Sequence, residues 1–158
     1  HPDILTAMHN LASTYRDQGR LKEAEKIEIQ VLRSFEQILG PKHPNTLLTM
    51  TNLAMTYDHQ GRWDKAEELG AKSLKARQEV LGPEHPDTLT SINNLALVYM
   101  HQGRWIEAHE LQLQTMKIQK RVLGLEHPET LGTMHNLACT NKALNNPDAL
   151  EMMARCLK

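Results

Sequence analysis

Residues 82–108 read GPEHPDTLTSINNLALVYMHQGRWIEA, and the same block stands 42 residues earlier, at 40–66, as GPKHPNTLLTMTNLAMTYDHQGRWDKA. A third copy opens the sequence as HPDILTAMHNLASTYRDQGRLKEA, and a fourth begins at His127 with HPETLGTMHNLA before the pattern decays. The His-Pro pair falls at residues 1, 43, 85 and 127, so the period is 42 with no drift. In such a repeat array each unit packs on its neighbours, and the core is a continuous seam rather than a ball. The period divides the chain into one array, 1–158, with repeats at 1–42, 43–84, 85–126 and 127–158.

Within repeat 43–84, the residue before Pro44 is pushed out of the helical region, and Pro44 suits the first helical position. A helix A is expected from there to about Gln60. Its residues Leu47, Met50, Leu53, Ala54 and Tyr57 recur at the spacing of one apolar helix face. Gly61 should stop it as a left-handed residue just past the end. A helix B is expected from Trp63, with Ala66, Leu69, Gly70, Ser73, Leu74, Val80 and Leu81 on its inner side, until Gly82 and Pro83 end it. Repeat 1–42 gives Leu5, Met8, Leu11, Ala12 and Tyr15, then Ala24, Ile27, Val31, Phe35 and Ile38. Repeat 85–126 gives Leu89, Ile92, Leu95, Ala96 and Tyr99, then Trp105, Ala108, Leu111, Met116 and Val122. No strand pattern appears, so the fold is expected to be all-α: antiparallel helix pairs stacked as a solenoid.

The net charge is −1, with neither sign in long runs, which argues against a nucleic-acid footprint or a polybasic membrane patch. No apolar run reaches the ~18–20 residues of a membrane span. Cys139 and Cys156 match no metal or redox spacing, and there is no Asn-X-Ser/Thr acceptor; a cytoplasmic setting is expected. The last repeat departs from the pattern. Asn141 replaces the tyrosine, Asn145 replaces the turn glycine, and one residue is lost before Ala149. A short helix B is expected over 147–157, making this unit a candidate C-terminal cap. The sequence begins at a repeat opening without Met, as a fragment of a longer array would.

A 42-residue period also suits HEAT or armadillo arrays, and the residues inside the unit decide against them. Leu53-Ala54-x-x-Tyr57, then Gly61 and Ala66, resemble the tetratricopeptide repeat (TPR) signature. The set recurs as Leu11-Ala12-Tyr15-Gly19-Ala24 and Leu95-Ala96-Tyr99-Gly103-Ala108. The eight residues beyond the usual ~34 lie in a longer helix B and the Leu-Gly-Pro-x-His-Pro connector, as in kinesin light chains and nephrocystin-type proteins. The version resembles most the C-terminal repeats of fungal NOD-like receptors. The resemblance implies a right-handed superhelix that binds a peptide or partner helix in a concave groove lined by A helices. A structural, self-associating segment of a larger receptor or scaffold, with end-to-end contacts between copies, is the alternative.

In such units the position just before Leu-Ala faces the groove, here Asn10, Asn52, Asn94 and Asn136. An amide there can donate to and accept from a peptide backbone, or it can hydrogen-bond between adjacent A helices; both roles stay open. Other groove positions differ between repeats: His9, Ser13 and Arg16; Thr51, Met55 and His59; Asn93, Leu97 and His101; then His135 and Cys139. Met55 and Leu97 either form a small apolar pocket or pack at the helix seam. Arg16 is the only strong cation in the set, which disfavours a carboxylate clamp.

The four His-Pro histidines are separated by whole repeats, on the order of 10 Å apart, one helix-packing distance. They cannot share one zinc at ~2.0–2.1 Å, and helix-entry hydrogen bonds are expected of them. Gly40, Gly82 and Gly124 are helix stops rather than a phosphate loop, and no nucleophile–base–acid set stands out. The expectation is therefore a non-enzymatic interaction module with no metal or cofactor. The repeated Tyr15, Tyr57, Tyr99, Trp63 and Trp105, with Met8, Met50 and Met134, are read as core.

Overall fold

The computed structural model describes residues 2–145, so the helix expected at 147–157 and Cys156 lie outside the described residues. Seven helices and no strand occur among the described residues. They are α1 (Pro2–Asp17), α2 (Leu21–Ile38), α3 (Pro44–His59), α4 (Trp63–Leu81), α5 (Pro86–His101), α6 (Trp105–Val122) and α7 (Pro128–Leu144). The odd-numbered helices are the A helices and the even-numbered ones the B helices. The chain forms two compact units, 1–80 and 81–158, each holding two repeats to within a few residues.

Each described His-Pro pair opens an A helix as expected. His43, His85 and His127 sit in extended conformation as N-caps, with proline next in the helix. Their Nδ1 atoms accept from the backbone N–H of Asn45, Asp87 and Glu129 at 3.2, 3.2 and 3.3 Å. Each histidine thus satisfies one of the donors that a helix start leaves open.

Helix A ends by a repeated turn. Arg20, Arg62 and Arg104 return their N–H to the carbonyls of Tyr15, Tyr57 and Tyr99 at 2.8, 2.9 and 2.8 Å, across glycines of positive φ. The same arginines lie over the same rings, 4.1, 4.4 and 4.0 Å from guanidinium carbon to centroid. The Tyr…Gly-Arg spacing therefore builds both the backbone lock and a cation–π contact. At Gly103, φ is +77 and an added Cβ would meet nothing, so the cost of a side chain there is conformational only. Gly103→Ala should lose about 1–2 kcal/mol in urea unfolding. Gly132 lies inside α7 without positive φ, with equally open space, and Gly132→Ala should gain about 0.5–1 kcal/mol.

In the first unit α2 packs between α1 and α3. Leu5, Val31 and Phe35 form its buried cluster, with Met8, Ile27 and Leu39 against it. Leu47, Met50, Leu53 and Ala54 of α3 are also buried, and α4 adds Ala66, Ser73 and Arg77. In the second unit α6 packs on both α5 and α7, burying Leu89, Leu95, Ala96, Val98, Ala108 and Leu137. The repeated alanines Ala12, Ala24, Ala54, Ala66, Ala96 and Ala108 are buried, which allows the close approach of helices expected of them, whereas Ala138 of α7 is exposed.

Several positions read as inner are open. Trp63 is 39% exposed, Met134 is 40% exposed, and the three tyrosines are half-buried beneath their arginines. Ile38, Val80 and Val122 are exposed because they occupy the last turn of B helices, which outrun the 16-residue A helices they accompany. Leu11 is exposed on α1, where no earlier helix among the described residues covers it.

Candidate functional site

The inner seam of each unit is polar. Arg16 of α1 donates from Nη1 to Glu28 Oε1 of α2 and to the Asn52 carbonyl of α3, both at 3.2 Å. Its Nη2 donates to Ser13 Oγ at 3.3 Å, and Thr56 Oγ1 donates to Glu28 Oε2 at 2.7 Å. One ion pair, with side chains 9% and 1% exposed, thus joins three helices. Eighty-four residues on, two repeats later, Thr140 Oγ1 donates to Gln112 Oε1 at 2.8 Å and Gln112 Nε2 donates to Met100 Sδ at 3.1 Å. Gln112 and Met100 stand where the first unit has Glu28 and Arg16. The second unit runs the same joint without charge.

A second polar link ties neighbouring A helices. Asn52 Nδ2 donates to His9 Nε2 at 3.0 Å, and His9 Nδ1 lies 3.4 Å from Thr49 Oγ1, which itself donates to the Asn45 carbonyl. A neutral His9 protonated on Nδ1 satisfies every group in that chain. Its counterpart is Asn93, whose Nδ2 donates to Thr133 Oγ1 at 2.6 Å, while Thr133 donates to Gln119 Oε1 at 2.7 Å. Asn52 thus makes the hydrogen bond between adjacent A helices.

Burial, and then the nearby Arg16 charge, hold the His9 pKa below its ordinary value of 6.5. The unfolded chain then binds a proton that the folded chain refuses, so stability is present above 6.5 and is lost as pH falls through the folded value. His9→Asn, which copies position 93, should flatten the decline in melting temperature between about pH 7.5 and about pH 5.5. An unchanged decline would place its origin elsewhere.

The other expected site residues divide sharply. Thr51 is buried, bonded to the Leu47 carbonyl and to Ser73 Oγ of α4 at 3.0 and 3.1 Å, so it faces the partner helix and not an open surface. Arg16 is likewise no groove cation, because Glu28 neutralises it inside the seam. Ser13 is half-buried and accepts from Arg16. On the first unit Asn10 and His59 are exposed and Met55 is half-buried. On the second, Asn94, Leu97 and Asn136 are half-buried, and His101, His135 and Cys139 are exposed. Met55 and Leu97 belong to different units.

Sequence reasoning missed Glu28, Arg77, Gln112 and Gln119, all buried on B helices. The signal was present: Ala24, Glu28, Val31 and Phe35 follow the apolar helix spacing, with a carboxylate inside the stripe. It also missed the threonines at 46, 88 and 130, one in each of the last three repeats and all fully buried.

Models of the tetratricopeptide repeat match residues 3–79, 59–99 and 88–129. Among solved structures, a kinesin-light-chain candidate from Podosopora anserina with nearly identical TPR-like repeats is 33% identical at a TM-score of 0.84. The match covers 98% of this chain and 74% of that one. A point variant of the same protein gives 32% identity and 0.82 over the same shares. BtubC (BKLC) from P. vanneervenii matches with a TM-score of 0.82 at 21% identity, over 96% of this chain and 61% of that chain, a likeness of fold. No curated protein matches.

Proposed function

Because the chain belongs to the tetratricopeptide repeat family and its structural neighbours are kinesin-light-chain-like, we propose that it is a peptide-binding module of one four-repeat array. Repeats of this family mediate protein–protein interaction. The finer reading is that an extended peptide or partner helix lies along the open face of the A helices, within each unit. The observation that carries it is the division on a single helix of the second unit. Leu89, Leu95 and Ala96 of α5 are buried scaffold, whereas Asn94, Leu97 and His101 keep open surface and change with the repeat, apart from the asparagine. On α7, Asn136 and Cys139 continue the open set. Half-buried apolar groups beside amides suit a ligand that brings apolar side chains and backbone hydrogen-bonding groups.

Arg16 being internal, the face offers the ligand no strong cation from the expected set, and a terminal carboxylate is not what it would select. The test is selection of peptides from a display library on the full chain, followed by Asn94→Ala and Leu97→Glu. Each substitution should weaken the selected peptide by about 1–2 kcal/mol, roughly fivefold to thirtyfold, with helicity unchanged. Equal binding by both variants would reject this face.

One observation favours self-association as a second reading. Ile4 and Leu11 of α1 are 61% and 44% exposed, while Leu53, Leu95 and Leu137, equivalent to Leu11, are buried. A sedimentation profile that stays monomeric at high concentration would remove that reading. In either case no described helix is long and apolar enough to cross a membrane.

A further inference from the structure

We propose that His135 and Cys139 form a two-donor site for a zinc-class divalent cation on the open face of α7. The residues are four apart, so they stand one above the other on the same side of the helix. Both are exposed, and Cys139 Sγ lies 3.7 Å from His135 Nε2. Bonds of about 2.3 Å to sulfur and about 2.0–2.1 Å to nitrogen, at the tetrahedral angle, require donors about 3.5–3.6 Å apart. The separation is thus within one or two tenths of an ångström of a tetrahedral bite, and closing it also needs the imidazole to turn so that its Nε2 lone pair meets the ion rather than the sulfur.

The array explains why the pair forms here and in no other described repeat. The position of His135 is that of His9 and Asn93, whose side chains turn across to Thr49 and Thr133 of the next A helix. Among the described residues no A helix follows α7, and His135 meets the thiol one turn along its own helix instead. The equivalent pairs, His9 with Ser13, Thr51 with Met55 and Asn93 with Leu97, lack one donor or both.

Binding replaces a proton. In the metal-free pair Cys139 Sγ and His135 Nε2 face each other at 3.7 Å, with the donor set by the imidazole tautomer. The cation takes both lone pairs, sulfur to metal and nitrogen to metal, and the thiol proton leaves to solvent, one per ion. A thiolate with an imidazole selects zinc over magnesium or calcium. Among the described residues no third His, Cys, Asp or Glu joins the group, so water completes the coordination. This site does not rest on the peptide reading and survives its failure.

The experiment is a cobalt(II) titration of the full chain, cobalt standing in for zinc because its thiolate bond absorbs in the near ultraviolet. A thiolate–cobalt band saturating at one ion per chain, bleached by zinc and accompanied by release of one proton, is expected. Cys156→Ser should keep the band, while Cys139→Ser and His135→Gln should lose it or weaken binding by at least about tenfold, since even outer-shell changes cost that much. Both side chains are exposed, and unchanged circular dichroism should accompany the loss. Absence of the band, its transfer to Cys156, or an unaltered band in His135→Gln would each overturn the site.

Discussion

Glu28→Ala is expected to lower the stability of the chain by about 3 kcal/mol, the lower part of the range for breaking a buried ion pair. The substitution leaves the Arg16 guanidinium inside the seam with only the Asn52 carbonyl and the Ser13 hydroxyl as partners, and leaves Thr56 without its acceptor. Neutralising the pair on both sides should behave otherwise. The double variant Glu28→Gln with Arg16→Met installs the set that the second unit already uses, where Gln112 accepts from Thr140 and donates to Met100. It should lie within about 1 kcal/mol of the parent, because a buried pair replaced by matched neutral groups is often nearly neutral. Guanidinium unfolding followed by circular dichroism measures both. A double variant as unstable as Glu28→Ala would show that the two joints are not interchangeable.

The pH dependence of this joint has a defined sign. Burial pushes the Glu28 carboxyl above its ordinary 4.5, against the hydrogen bond from Thr56 and the charge of Arg16. The folded chain keeps that proton to higher pH than the unfolded chain. This contribution is full below about 4.5 and is lost as pH rises through the folded value. It runs opposite to His9, and only the separate variants distinguish the two.

Leu89→Ala should cost about 2–5 kcal/mol, the ordinary range for a buried leucine that leaves a cavity. The equivalent Leu131→Ala should cost less than about 1 kcal/mol, as expected of a side chain that keeps much of its surface in water. The two leucines occupy the same position of consecutive repeats in one unit, yet Leu89 is fully buried and Leu131 is 51% exposed. Equal losses in urea unfolding would mean that α7 is covered in solution.

The sequence by itself determined what depends on neighbours a few residues apart. The helix starts at His43, His85 and His127, the stops at Gly19, Gly61 and Gly103, and the all-α class follow from bonds spanning two to five residues, repeated with the period. The Leu-Ala-x-x-Tyr spacing likewise marked the alanines that let helices approach. Tertiary structure alone decided which member of a repeated position is buried and what it bonds. His9 to Asn52, Arg16 to the Asn52 carbonyl, and Thr56 to Glu28 are contacts between residues 43, 36 and 28 apart. They depend on which side chains two neighbouring repeats bring to one place. A period fixes where a residue stands; the adjoining repeat decides whether it meets water, a partner or an ion. That is why Arg16 and Thr51 read as groove residues and proved internal, whereas His135 and Cys139, on a helix that no further described A helix follows, remain exposed.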